Sequence, residues 1–251
     1  MLHCAAMGQT AGIVIIGDEI LSGKFADENA VFLIKELRAL GVALRRVAII
    51  PDDIDDIAAT VKSFSDRFDH VFTSGGVGPT HDDLTMEGVA RGFGVKVVIH
   101  EQLAAGIRAF FGPELGEKNL RLAEVPEGAQ LVGRDDELKW PVTKINNVYV
   151  LPGVPSLFRR KFAAIKSMFQ DTPWATARVY CNGDEGSLAP HMNAVVAAHP
   201  TVNVGSYPRF DEQDYRVLIT LESKDPAAVT AAREDLVARV GDLVVRVDEA
   251  S

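Results

Sequence analysis

Positive charge is scarce in this sequence. Lys and Arg number 26 against 35 Asp and Glu, for a formal net charge of −9. A protein that grips a nucleic-acid backbone needs a basic face, so no nucleic-acid partner is expected. Cysteine is scarcer still. Cys4 and Cys181 stand alone, without zinc spacing or a disulfide framework, and a reducing, cytoplasmic setting is expected. No apolar run approaches the ~20 residues that cross a bilayer, so no membrane is expected as partner. The opening Met1-Leu2-His3-Cys4-Ala5-Ala6-Met7 lacks a basic region followed by a long apolar one. It reads as a leader rather than a signal peptide, with Met7 an alternative start. Also missing are a Gly-x-Ser-x-Gly elbow, a Walker loop and a dinucleotide fingerprint. His3, His70, His100, His191 and His199 show no metal-ligand spacing.

What is present is an alternation of strands and helices. The 251 residues are 47% hydrophobic, enough for one or two domains with real cores. Ala11 to Ile16 is a continuous apolar, β-branched run, the pattern of a strand buried on both faces. A loop, Gly17 to Lys24, follows. Asp27 is a candidate N-cap for a helix carrying Ala30, Leu33, Ile34, Leu37 and Leu40, with Gly41 just past its end. Strands are expected over Val42–Ile50, Phe68–Thr73 and Val95–Ile99, with helices between them. This βαβαβαβα order predicts an α/β, three-layer, mostly parallel sheet with helices on both faces, over residues 10–170. Glu117 to Pro126 shows little periodicity. Two further strands, Trp140–Ile145 and Asn147–Leu151, meet at an Asn146-Asn147 turn, and Pro152-Gly153-Val154-Pro155 opens another helix. Asp171-Thr172-Pro173 reads as a boundary. Beyond it, residues 174–251 follow a βαββαβ order, predicting a second, smaller α+β domain of ferredoxin-like type.

Ligands of such sheets bind beyond the carboxyl ends of the strands. Three loops fall there: Gly17 to Lys24, Pro51 to Asp53, and Thr73-Ser74-Gly75-Gly76-Val77-Gly78-Pro79-Thr80-His81-Asp82-Asp83-Leu84-Thr85. Gly75, Gly76 and Gly78 let a ligand approach the backbone, whose N–H groups at a helix start attract phosphate. The plain alternative is a strained turn, with Thr80 and Asp83 forming a capping box and both aspartates complementing the helix dipole. On a first helical turn, Asp82 and Asp83 are candidates to hold a hard divalent cation, with Glu19 and Asp18 completing its shell. Asp52 is either a helix N-cap or an acid of the site. His81 is either a base beside those acids or a simple turn residue. Trp140 and Trp174 read as packing residues.

Taken together, Gly17-Asp18-Glu19-Ile20-Leu21-Ser22-Gly23, Asp27-x-Asn29, Ser74 to Thr85 and Pro152-Gly153-Val154-Pro155 resemble the molybdopterin-binding-like domain. That domain occurs in molybdenum-cofactor biosynthesis proteins, in CinA-type proteins and at the start of eukaryotic FAD synthases. The glycine turn, the Arg121 to Pro126 segment and Gly205-Ser206-Tyr207-Pro208 resemble the FAD-synthase version most. Leu157 stands where CinA-type members usually carry Glu. The sequence holds neither the reductase-like domain that makes FAD nor an amidohydrolase domain, so neither FAD synthesis nor nicotinamide-nucleotide deamidation is expected. The resemblance implies a metal-dependent pyrophosphatase acting on FAD or ADP-ribose. Its cofactors would be a divalent metal (Mg, Mn or Co) and K⁺, and its assembly a dimer or trimer. Asp83, Asp52 and His81 are the catalytic candidates. Asp82, Asp83 and Glu19 are the metal candidates. Ser74, Gly75, Gly76, Gly78, Thr80, Asn29, Pro152 and Gly153 are the substrate candidates. The alternatives are a non-catalytic protein with molybdopterin or a nucleotide as its small-molecule ligand, or a regulatory module.

Overall fold

The computed structural model describes residues 8–133, 140–209 and 214–248. They form two compact units, one within residues 7–171 and the other within 172–251. In the first, the order is β1 (Thr10–Ile16), α1 (Asp18–Leu21), α2 (Asn29–Ala39), β2 (Ala43–Ile50), α3 (Ile54–Ser65), β3 (His70–Ser74) and α4 (Thr85–Phe93). Then come β4 (Val97–Ile99), α5 (Glu101–Phe111), α6 (Pro113–Lys118), β5 (Glu124–Pro126), β6 (Gln130–Val132), β7 (Val142–Ile145), β8 (Val148–Leu151) and α7 (Pro155–Ile165).

The main sheet has six strands in the order β2-β1-β3-β8-β7-β6. The β1–β2, β1–β3 and β3–β8 pairs are parallel, and β8–β7 and β7–β6 are antiparallel. Alternate residues of a strand face opposite ways, so β1 feeds two cores. Ile13 and Ile15 join Leu33 and Leu37 of α2 and Phe158 and Phe162 of α7 on one face. Val14 and Ile16 join Ile57 and Val61 of α3 and Val89 of α4 on the other. Helices on both faces make this a three-layer α/β fold, and they explain why β1 reads as an unbroken apolar run.

Several sequence expectations need correcting. Val95–Ile99 was expected to extend the parallel sheet. Instead β4 pairs antiparallel with β5 in a separate two-stranded sheet, and the free side of β3 takes β8. The Glu117 to Pro126 segment, read as aperiodic, holds the end of α6, a 3-10 turn and β5. The first loop contains the one-turn helix α1. Trp140 and Pro141 precede β7 rather than belonging to it. Asn146 does take a positive φ, 52°, between β7 and β8.

The second unit runs β9 (Ala175–Cys181), α8 (Glu185–Ala198), β10 (Asn203–Pro208), β11 (Val217–Ser223), α9 (Pro226–Val240) and β12 (Val244–Asp248). Its sheet, in the order β10-β11-β9-β12, is wholly antiparallel. Strand residues Ala177, Val179, Ile219 and Leu221 share one core with Leu188 and Val195 of α8 and Val229 and Leu236 of α9.

Candidate functional site

The parallel strands of the first unit end together, and a cleft of about 980 Å³ opens there. Its lining includes Glu19 after β1, Asn29 at the start of α2, Ser74 to Gly78 and Asp83 after β3, and Pro152 to Pro155 after β8. Convergence at the carboxyl ends of strands is what a doubly wound sheet provides.

The turn after β3 can be made only with glycine. Gly75 has φ +108°, and a Cβ on it would lie 2.0 Å from the Ile16 carbonyl oxygen. Gly76 has φ +60°, and a Cβ there would lie 2.5 Å from Thr85 Oγ1. Thr85, fully buried, donates its hydroxyl to the Gly75 carbonyl at 2.8 Å and its N–H to the Gly76 carbonyl at 3.0 Å. Gly75 N–H donates to Leu151 O at 3.2 Å, joining the turn to β8. Among the described residues, the N–H groups of Gly76, Val77 and Gly78 take no protein acceptor.

Thr85 also sets where α4 begins, and this corrects the capping-box expectation. With the Thr85 N–H and hydroxyl both engaged by the turn, the helix starts at Thr85, and Asp82 and Asp83 precede it. Thr80 instead donates its N–H to Asp83 Oδ2 at 2.8 Å, and its hydroxyl to the same oxygen. Arg121 braces the loop from outside. Its Nη2 donates to the Asp83 carbonyl at 3.0 Å and pairs with Glu87 at 3.3 Å.

The two acids after β2 divide their tasks. Asp53 caps α3, its Oδ1 accepting from the N–H groups of Asp55 and Asp56. Asp52 is therefore free of the capping task, and it stands beside the cleft rather than in its lining. Its Oδ2 accepts from Asp18 N–H at 2.9 Å, and its Oδ1 lies 3.5 Å from where a Cβ on Gly76 would stand. Burial pushes the Asp52 carboxyl above its usual range; the Asp18 N–H opposes this, and the nearby Glu19, Asp18 and Asp82 add to it.

Glu19 and Asp83 line the cleft, while Asp52, Thr80, His81 and Asp82 do not. His81 is almost fully exposed, with Nδ1 3.9 Å from Asp82 Oδ1. Among the described residues no three His, Cys, Asp or Glu side chains converge as a metal site, so Asp82, Asp83 and Glu19 do not make a preformed trio. Magnesium-type ions commonly take one or two protein carboxylates and complete their shell with substrate phosphate and water. Glu19 and Asp83 supply carboxylates of that kind to the cleft lining.

Asn29 is 4% exposed. Its Nδ2 donates to Ser74 Oγ at 2.9 Å and to Gly153 O at 2.7 Å, while its Oδ1 has no partner. Asp27 fixes it there by accepting from the N–H groups of Asn29 and Ala30. Two cleft residues escaped sequence reasoning. Arg160 and Lys161 of α7 line the wall, although Lys161 sits three residues after Phe158 and four before Ile165, on the apolar stripe of its helix. A cation at a core-face position was the available signal.

A sequence model described as a probable molybdopterin binding domain matches residues 12–170, and one described as the FAD synthase middle domain matches residues 173–249. A probable FAD synthase of Caenorhabditis briggsae is 32% identical over 258 residues, covering 90% of this chain and 48% of the relative. A CinA-like protein of Gemmatimonas aurantiaca is 32% identical over 257 residues, covering 92% of this chain and 58% of the relative. The crystal structure of the protein CinA from Thermoplasma acidophilum superposes with a TM-score of 0.59 at 30% identity, covering 64% of this chain and 98% of that one. The chain spans about half the length of the FAD synthase relatives it matches. Among the described residues no helix is long and apolar enough to cross a membrane.

Proposed function

The chain belongs to the molybdopterin-binding-domain family, and from that premise we propose that its cleft binds a nucleotide pyrophosphate such as FAD or ADP-ribose and hydrolyses it with the help of a divalent ion. One observation carries the reading. Backbone N–H groups without acceptors at Gly76, Val77 and Gly78 line the same cleft as the carboxylates of Glu19 and Asp83. The N–H groups receive a phosphate, as unclaimed donors at a glycine turn do. Asp83, its side chain oriented by Thr80, and Glu19 would hold the ion, which when bound polarises the phosphoryl group and lowers the pKa of a water. Asp52, whose proton affinity is raised by burial and by its acidic neighbours, takes the proton from the attacking water. Water adds to phosphorus, the bridging P–O bond breaks, and FAD yields FMN and AMP. Asn29 offers its unpaired Oδ1 to a ligand N–H or O–H, while Ser74 and Gly153, both bonded to Asn29, and Pro152 shape the wall beside it. Asp82 acts through its field on Asp52, and His81 has no contact with the cleft lining in this scheme.

A second reading, binding of a pterin without turnover, is favoured by the description of the matching family. Assaying FAD, ADP-ribose, NADH and CoA with Mg²⁺, Mn²⁺, Co²⁺ and Ni²⁺ decides between the two. Cleavage that disappears in Asp83→Asn supports the hydrolase. Undiminished turnover in that variant overturns the assignment of Asp83, and tight pterin binding with no cleavage under any metal favours the second reading.

A further inference from the structure

One edge of the main sheet is unfinished. β2 stands first in the strand order, and among the described residues no strand pairs with its outer side. An open edge is a row of backbone N–H and C=O groups that templates another strand, and proteins that avoid such pairing interrupt it with Pro, charge or a bulge. β2 keeps those devices to its ends. Its register against β1 slips between Ala11 and Gly12, leaving Arg45 as the extra residue, and Pro51 follows its last residue, Ile50. Between these ends, Arg46 to Ile50 run in regular register with Gly12 to Ile16, and Val47 to Ile50 carry neither charge nor Pro.

The surface beside this edge is apolar. Val47 and Ile49 pair with Ile13 and Ile15 of β1, which face the α2 and α7 side of the sheet. α2 continues the patch. Its Phe32 turns toward α7, meeting the rings of Phe158 and Phe162 at 6.2 and 5.9 Å. Ile34, two residues on and so nearly opposite on the helix, points to the β2 flank, with Val31 beside it one turn back. These four side chains, Val31, Ile34, Val47 and Ile49, are 38–53% exposed.

We propose that this edge pairs with the same edge of a second copy of the chain, β2 against β2, antiparallel about a two-fold axis at Ala48. Such an axis keeps each face of the sheet on its own side, so it must fall on a residue, and the middle of the regular stretch is Ala48. Val47 then stands opposite Ile49 of the partner subunit, and Arg46 opposite Ile50 of the partner subunit. The charges agree with this register. Centring the pair on Arg46 would oppose two arginines, which is unfavourable. Centred on Ala48, the Arg45 and Arg46 end of each strand runs toward the Asp52 and Asp53 end of the other. The interface is self-complementary, as a two-fold contact requires. It forms one sheet across two chains, and it is independent of the nucleotide-binding reading above.

The test uses the full chain in a Cys4→Ser background, oxidised with copper–phenanthroline. A48C is expected to crosslink to a dimer by itself, whereas V47C and I49C should crosslink only when mixed. Sedimentation velocity over a range of concentrations is expected to show a wild-type dimer. V47K should raise its dissociation constant about tenfold or more, since the introduced amine meets Ile49 of the partner subunit twice in each dimer. Mixing V47K with I49E should recover the dimer through the introduced ion pair, a recovery that an unfolded variant could not give. A monomeric wild type overturns the proposal and leaves the edge to a strand of another protein. A dimer that V47K leaves intact, or that A48C fails to crosslink, also overturns it, by placing the interface elsewhere.

Discussion

Thr85 locks the glycine turn from below: its hydroxyl reaches the Gly75 carbonyl at 2.8 Å and its N–H the Gly76 carbonyl at 3.0 Å. Two successive carbonyls are thereby turned inward, and the Gly76, Val77 and Gly78 N–H groups are left unclaimed. Thr85→Val keeps the shape but strands a buried carbonyl, which should cost about 1–3 kcal/mol of stability. Thr85→Ser should retain most of it. Urea unfolding of the three proteins reads the difference, and affinity for inorganic phosphate should follow the same order.

Gly75→Ala should be worse than a positive φ alone explains. A methyl there would approach the Ile16 carbonyl to 2.0 Å, and backbone at the end of a central strand has little room to yield. A loss of about 3 kcal/mol or more is expected. Gly94 provides the comparison. Its φ is +67° with nothing near the added methyl, so Gly94→Ala should cost only about 1–2 kcal/mol. Equal thermal shifts for the two variants would refute the steric account.

Asp52→Asn should raise stability and lower activity together. The folded protein holds the Asp52 proton more tightly than the unfolded chain does. Its contribution to stability is therefore greatest at acid pH and is lost as pH rises through the elevated folded pKa. Asparagine removes the repulsion with Glu19, Asp18 and Asp82 and can still accept from Asp18 N–H. The melting temperature of the variant should exceed that of wild type at pH 7, and the gap should close as the pH is lowered through that range. Metal-dependent cleavage should fall at least tenfold. A lower melting temperature at pH 7 would contradict the sign.

Arg121 is a positioning residue, and its test is kinetic. It holds the Asp83 carbonyl and the Glu87 carboxylate without lining the large cleft. Arg121→Met should reduce kcat for FAD about tenfold with a smaller change in KM. The unfolding midpoint should move little, since such half-exposed ion pairs contribute about 0–1 kcal/mol. Arg121→Lys, which keeps one donor, should recover part of the rate.

Much of this architecture was written locally. The β1 run, the Asn146 turn and the glycines after β3 each carry their reason within a few residues, and all three are found where the pattern puts them. What escaped depends on distant partners. Nothing near Val97 reveals that β8 takes the place beside β3, although Val98 and Ile99 end up 37% and 40% exposed, which suits a small outlying sheet. Asp52 is the candidate cap in sequence, but α3 begins at Ile54 and the task falls to Asp53. The approach of Arg121 to Asp83 crosses a separate helical segment and leaves no periodic trace. Lys161 was legible in principle, as a charge on an apolar stripe.

The insertion of β8 between β3 and β7 carries a consequence for how the protein is made. Val71 pairs with Val148, so β3 leaves the ribosome long before its neighbour exists. At about 5–20 residues per second, the wait is roughly 4–15 s, during which an apolar parallel edge stands open. Asn29 waits longer, since its carbonyl partner Gly153 follows β8. The cleft is thus among the last parts of the first unit to be assembled, although its most recognisable residues are among the earliest synthesised.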